Sequence, residues 1–552
     1  MGAVEDTHAV PKASDVDVRE HPGKDEGTPD DRAPSGRTLG ALWNRLLSPA
    51  NRTTVDRLGV LGVILLLAVL WGRGRGIWYW GDEGLAVGIA SHPLGDIPTL
   101  LRQDGSPPLY YLLLHVWMSA FGSGEAATHT LSLLFALGSV GAAWWFGRSL
   151  LGRRVGWFLV ALAALNPLLA HFANETRMYT LMVLLATLAT GAFLHVFLFG
   201  RRRYLPLLVG SLVLLLYTHN WALFLSLGLA VALVPCLLAS ADRRRLAFDA
   251  VLGFGAAGLL FLPWVPALLF QRAHTAAPWA IRPTLELART DISSLIGSPE
   301  ALVAAGLGAG VGLATILRRR GGRPAVGVTA MAVLVVVAIS VAWVVSRSSP
   351  VWAYRYLAVI LPAILLIVAV GLASGGQLAV SALCVLVFLQ APIDVKVPPH
   401  RKSNVRAVAD EVRDRLRPGD LVLSHFGELP VLAHYLPPGL RYASASGLVA
   451  DERVADYRDS VERLEGSLPA ETLPPLLDEL AVGGHALLVC PLVTQDESEK
   501  TPFLLLLEER CEDMKRVFTE DPRFQLDVAI TGALKQGVAN KADDAFLYTR
   551  SA

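Results

Sequence analysis

The sequence is short of charge. Only 18% of its 552 residues are Asp, Glu, Lys or Arg, against roughly a quarter in an ordinary soluble protein. With 53% hydrophobic residues, that deficit argues against a soluble enzyme and for a chain that crosses a bilayer repeatedly. An excess of one sign is also missing: 49 Lys and Arg face 48 Asp and Glu, a balance that offers no nucleic acid a basic surface. Cysteine is scarce, four residues in all, in no spacing that holds a metal or forms a redox motif. Cys236 and Cys384 fall in apolar runs and read as packing residues. Cys490 and Cys511 fall in a polar region, where they either pair on an oxidising side of the membrane or stay buried thiols. The N-terminus has no apolar core after a short basic start, so it does not read as a signal peptide. Residues 1–50 are rich in Asp, Glu, Lys, Pro, Gly and Thr, too polar to bury a core, and read as a disordered cytoplasmic tail.

Long apolar segments dominate what is present. Eleven are long enough to span, near residues 56–73, 128–147, 155–172, 179–199, 204–218, 221–239, 247–270, 298–317, 325–346, 355–373 and 377–393. Basic clusters at Arg148–Arg154, Arg201–Arg203, Arg243–Arg245 and Arg318–Arg323 occupy short loops two spans apart. The excess of Lys and Arg in cytoplasmic loops puts all four inside together. With the N-terminal tail also inside, parity then holds Leu109–Phe121 on the outer side as a juxtamembrane helix. The same parity puts everything after Asp394 outside, where normal charge and short alternating apolar runs predict a small α/β domain. The expected division is therefore a tail over 1–50, a membrane domain over 51–393 and an extracytoplasmic domain over 394–552.

The unusual polar residues gather in the predicted outer loops. Asp82 and Glu83 follow the first span. Acids there cap a helix N-terminus, or one of them serves as a general base for an incoming hydroxyl. Glu175, Arg177 and Tyr179 sit at one outer boundary, and Arg177 suits an anionic headgroup because guanidinium matches phosphate. His219 and Asn220 interrupt an apolar hairpin on the same side. Tyr354 and Arg355 open the tenth span, where an Arg either snorkels or binds a second phosphate oxygen. Arg102 lies in the first outer loop.

These motifs resemble those of the GT-C glycosyltransferases, and more narrowly the protein-mannosyltransferase and aminoarabinose-transferase group of glycosyltransferase family 39. Trp80-Gly81-Asp82-Glu83, Gly105-Ser106-Pro107-Pro108-Leu109-Tyr110-Tyr111 and Phe121-Gly122 resemble the group's first outer loop. Arg148-Ser149-Leu150-Leu151-Gly152-Arg153-Arg154 resembles its basic inner loop. Asn174-Glu175-Thr176-Arg177-Met178-Tyr179 and Tyr354-Arg355-Tyr356-Leu357 with Pro362 resemble two later motifs. The likeness covers about 56–393 and leaves the C-terminal domain uncovered.

The resemblance implies transfer of a sugar from a polyprenyl-phosphate donor to a protein, lipid or glycan hydroxyl at the outer face of the plasma membrane. It puts the central catalytic acid at Asp82, with Glu83 beside it, and a second acidic site at Glu175. The cation that holds the donor phosphate in the aminoarabinose branch has no clean counterpart in the loop, which leaves Arg102, Arg177 and Arg355 as candidates. Tyr179, His219, Asn220 and Tyr354 are the expected substrate contacts. No cofactor is required, and a divalent metal is permitted but not demanded. A polyprenyl-lipid flippase and a non-catalytic envelope scaffold are the rival classes. A flippase, however, needs ionisable groups near mid-membrane rather than at one boundary.

Overall fold

The computed structural model describes residues 52–275, 277–318, 322–390, 402–493, 500–532 and 542–552. The expected tail over 1–50 and the expected boundary at Asp394 lie outside those residues. Among the described residues, eight helices are long and apolar enough to cross a membrane, beginning at Arg52, Glu125, Tyr179, Ala222, Arg243, Pro299, Arg323 and Tyr354. The other three expected spans fall on shorter helices. The stretch 155–172 is divided by Pro167, which has no N–H to continue a ladder. Arg153–Ala164 ends before it, and Pro167–Phe172 begins with Asn166 Oδ1 accepting from Leu169 N at 3.2 Å. Leu205–Leu216 has 12 residues and Gln377–Gln390 has 14. Leu205–Leu216 nonetheless runs from the basic end, where Arg201 meets Ser149, to the opposite end, where Asn220 meets Gly105.

The bundle is built around Tyr179–Phe197, a helix buried along almost its whole length. Its Ala186, Ala189, Gly191 and Ala192 let neighbouring backbones come close, as small residues do where no hydrophobic drive separates helix from lipid. The basic loops meet at one end. Arg201 Nη1 donates to Ser149 O at 3.0 Å, Arg202 Nε pairs with Asp249 at 2.8 Å, and the Arg323 guanidinium lies 5.3 Å from the Phe199 ring.

The other end of the same helices carries the predicted outer loops. Leu109–Phe121 begins there, with Leu109 N donating to Tyr217 O at 2.8 Å. Its 13 residues span about 20 Å. Before it, Gly105 closes the Ile97–Asp104 helix at φ 92°, a left-handed turn that a side chain would strain.

The described residues after 402 include a six-stranded sheet of order β3-β2-β1-β4-β6-β5. The strands are β1 Leu421–Ser424, β2 Arg441–Ser444, β3 Gly447–Leu448, β4 His485–Pro491, β5 Phe524–Ile530 and β6 Asp543–Arg550. β2, β1 and β4 are parallel, with β3, β6 and β5 antiparallel at the edges. β1 is buried on both faces, as a central parallel strand must be. Cys490 of β4 and Cys511 of the Pro502–Glu520 helix are joined as a disulfide, which decides between the two readings of that pair. The sheet domain packs against the bundle from Gly59 onward. They meet through the Gly81–Ala90 and Leu429–Tyr435 helices.

That meeting depends on absent side chains. A Cβ on Gly84 would lie 2.5 Å from Val431 Cα, and one on Gly88 would run into the Arg453 carbonyl. Two residues without side chains at this spacing let the sheet domain rest directly on the backbone of the helix that begins with Asp82.

Candidate active site

Trp80 is extended, and the Gly81–Ala90 helix starts at the next residue. The first-turn acids Asp82 and Glu83 therefore point to different surroundings. The Glu83 side chain is fully buried. Its Oε1 meets His129 Nε2 at 2.6 Å and accepts from Thr176 N at 2.7 Å, while Lys402 Nζ donates to Oε2 at 2.8 Å. Burial alone would raise its pKa, but the opposed charges of Lys402 and His129 hold it down at about 2. A carboxylate so fully engaged does not take up protons near neutrality.

Asp82 is the more open of the two, its side chain 21% exposed, with Oδ2 3.6 Å from Arg355 Nη2. Arg177 Nη1 donates to the Asp82 main-chain oxygen at 3.2 Å. Arg177 thus braces the backbone behind the acid. Near it, Asp104 accepts from the Tyr111 hydroxyl at 3.1 Å. Burial raises the Asp104 pKa, against the lowering effect of the Arg177 charge.

Asp82, Glu175, Arg355 and Lys402 line a cavity of about 460 Å³ between the bundle end and the sheet domain. Glu175 sits between His171, 3.3 Å from its Oε2, and Lys402, 3.9 Å away. Its burial would raise its pKa, and Lys402 and a hydrogen bond from His171 lower it. Its Oε1 is buried without a hydrogen-bond partner. Arg355 lies over the Trp279 ring at 4.8 Å and the Trp80 ring at 5.9 Å, so aromatic faces hold the guanidinium in the cavity wall. The sheet domain adds Glu428 and Tyr457 to the lining.

The structure thus brings together Asp82, Glu83, Glu175, Arg177 and Arg355. Tyr179 and His219 pack behind them against Tyr356, with ring centroids 6.3 and 4.4 Å away. Burial, then the Arg177 and Arg355 charges, lowers the His219 pKa to about 3, which keeps the ring neutral. Asn220 Nδ2 donates to Gly105 O at 3.3 Å and ties the hairpin to the first loop. Tyr354 borders the cavity, with its hydroxyl donating to Ser294 O at 3.2 Å. Arg102 is not among them: its exposed guanidinium stacks on Phe270 at 4.7 Å.

Four contributors escaped the sequence reading. His129 and His171 had a usable signal, since an ionisable residue in an apolar span calls for a partner and His171 stands four residues before Glu175. Lys402 and Glu428 had none, because in a polar domain one Lys or Glu looks like any other.

The fold is that of the GT-C glycosyltransferases. Among solved structures, the apo form of ArnT from Cupriavidus metallidurans aligns with a TM-score of 0.55 at 13% identity, over 90% of this chain and 98% of that one. The same protein bound to undecaprenyl phosphate aligns at 0.54 and 13% identity, over 88% and 97%. The arabinofuranosyltransferase AftD from Mycobacteria aligns at 0.51 and 14% identity, over 90% of this chain and 42% of AftD. No family model and no curated protein matches the sequence.

Proposed function

We propose that this chain transfers a sugar from a polyprenyl-phosphate donor to an acceptor hydroxyl at the outer face of the plasma membrane. The observation that carries the reading is one cavity holding an accessible carboxylate, Asp82, beside a cation held by aromatic rings, Arg355, in a fold shared with a protein solved with undecaprenyl phosphate. The disulfide and the gathering of basic loops at the opposite end both support an oxidising, outer location for the cavity.

The chemistry is direct displacement. In the structure Arg355 pairs with Asp82. A donor phosphate is the stronger partner for guanidinium, since two oxygens can be held at once, and it draws Arg355 toward itself. Asp82 is then left to accept the proton of the acceptor hydroxyl. That oxygen bonds to the anomeric carbon as the bond from carbon to phosphate oxygen breaks, and polyprenyl phosphate leaves with its charge held by Arg355. One carboxylate base and no covalent intermediate give inversion. Glu83 supports the geometry rather than moving protons, because its oxygens are committed to His129, Thr176 and Lys402. No cofactor enters the scheme.

The test is Asp82→Asn in purified protein with a polyprenyl-phosphate sugar donor. Loss of a general base costs about 10²–10⁴-fold in rate, and the melting temperature should not change. Full transfer by a folded variant would remove Asp82 from the base role. Donor movement across the bilayer without a glycosidic product would favour the flippase.

A further inference from the structure

Among the described residues of the sheet domain, Lys402 is the one that reaches both buried acids, Glu83 and Glu175. An ammonium has three N–H donors. Two are taken, by Glu83 Oε2 at 2.8 Å and the Asn174 main-chain oxygen at 2.6 Å. Glu175 Oε2 faces the same nitrogen at 3.9 Å, and the Lys402 side chain is 10% exposed. A Lys with its donors committed in this way is poorly placed to take a phosphate, whereas Arg355 keeps a buried Nε without a hydrogen-bond partner. The groups facing the acids are few. Glu83 sees His129 from the Glu125–Leu151 helix and Lys402. Glu175 sees His171 from the Pro167–Phe172 helix, Lys402 and the Glu83 charge. Lys402 is thus the cation common to both, and Glu175 Oε1 remains buried at the cavity wall without a hydrogen-bond partner.

We infer that Lys402 is a positioning residue supplied by the C-terminal domain: it fixes Glu83 and Glu175 as carboxylates and leaves Glu175 Oε1 to accept a hydrogen bond from a substrate hydroxyl. The sheet domain is then part of the catalytic unit rather than an appendage. Without it, the ionisable partners facing the two buried carboxylates among the described residues would be His129 and His171. Removing one partner of a buried charge cluster is far more damaging than its exposed counterpart. The inference rests on the proposed transfer for its kinetic test, but its stability test stands apart from it.

The experiment uses the full-length protein in lipid nanodiscs, as wild type, Lys402→Met and Lys402→Arg. In Lys402→Met, Glu175 loses its counter-charge and protonates at higher pH. Transfer should fall at least tenfold at pH 7, and the acid limb of the kcat profile should move up by at least one pH unit. Lys402→Arg should recover most of both. An unmoved pH profile with only the donor KM raised would overturn the inference and make Lys402 a phosphate ligand.

The melting-temperature gap between wild type and Lys402→Met needs no activity. Carboxylates held below their unfolded pKa stabilise the fold above that value and lose this contribution as pH falls through the folded one. Without Lys402, burial instead penalises the charged acids as pH rises. The gap should therefore open from about pH 2, where Glu83 ionises in the folded wild type, and widen further above about pH 4.5 toward neutrality as the variant loses stability. A gap independent of pH would refute the role even if no sugar donor were ever turned over. Absence of transfer by the wild type, with the widening gap present, would count against the proposed function alone and leave the positioning role supported.

Discussion

Gly84→Ala adds one methyl group at the contact between the membrane bundle and the sheet domain, and its cost follows from the coordinates. The new Cβ would stand 2.5 Å from Val431 Cα and Cβ and 2.7 Å from Val431 N. Carbon atoms rest at about 3.5–4.0 Å, so the two helices must part by about 1 Å. No flexible side-chain end can swing aside, because the obstructing atoms are the Val431 backbone and its Cβ. Overpacking of this kind costs about 1–3 kcal/mol, and Ala regains about 1 kcal/mol of helix propensity over Gly, which leaves about 2 kcal/mol at the upper end. The effect on rate should be larger than that on stability. Asp82 lies on the same helix, two residues away, and a displacement of about 1 Å at a reacting group costs on the order of 10²-fold.

The assay is initial-rate transfer from a polyprenyl-phosphate sugar, with thermal melting on the same samples. Gly255→Ala is the control: nothing lies within 4 Å of a Cβ there, so its rate should equal wild type and its stability should not fall. A Gly84→Ala variant with wild-type rate and melting temperature would refute the claim that the sheet domain's seat sets the position of Asp82.

Two further outcomes are expected. Arg355→Ala should raise the donor KM and lower kcat together, since Arg355 meets both Asp82 and the leaving phosphate in the proposed scheme, whereas Arg102→Ala, stacked on Phe270 away from the cavity, should change neither in a steady-state assay. Replacing Cys490 and Cys511 by Ser opens a crosslink with a sequence separation of 21 residues, which chain entropy values at about 3 kcal/mol. Reducing agent should lower the melting temperature of the wild type but not that of the double variant.

Some of this was legible without coordinates. Low charge and recurrent apolar runs set the membrane class. The spacing of four Arg clusters set which loops lie together, and in the structure Arg201, Arg202 and Arg323 share one end of the bundle while Asp82, Glu175 and Arg355 share the other. Asp82 was readable because a loop motif is local: its neighbours in sequence are its neighbours in the helix cap. A small α/β domain after Asp394 was also legible, from the return of normal charge and short alternating apolar runs. β2 and β3 were not, being four and two residues long, too short to show a period.

What tertiary structure alone decided is which charge meets which. Sequence puts an Arg on a side of the membrane but not at an angle around the bundle, so Arg102, Arg177 and Arg355 looked alike. Folding turned one outward onto Phe270, set one behind Asp82 and brought one into the cavity. It also joined Lys402 to Glu83 across 319 residues and His129 to the same carboxylate across 46. Such pairs leave no mark in local pattern, because a buried charge is stabilised by partners that only the folded chain brings within 3 Å. The sequence thus determined that a pair of acids follows the first apolar run. The fold decided that Asp82 faces the cavity, and that its neighbour Glu83 is locked by a lysine from the far end of the chain.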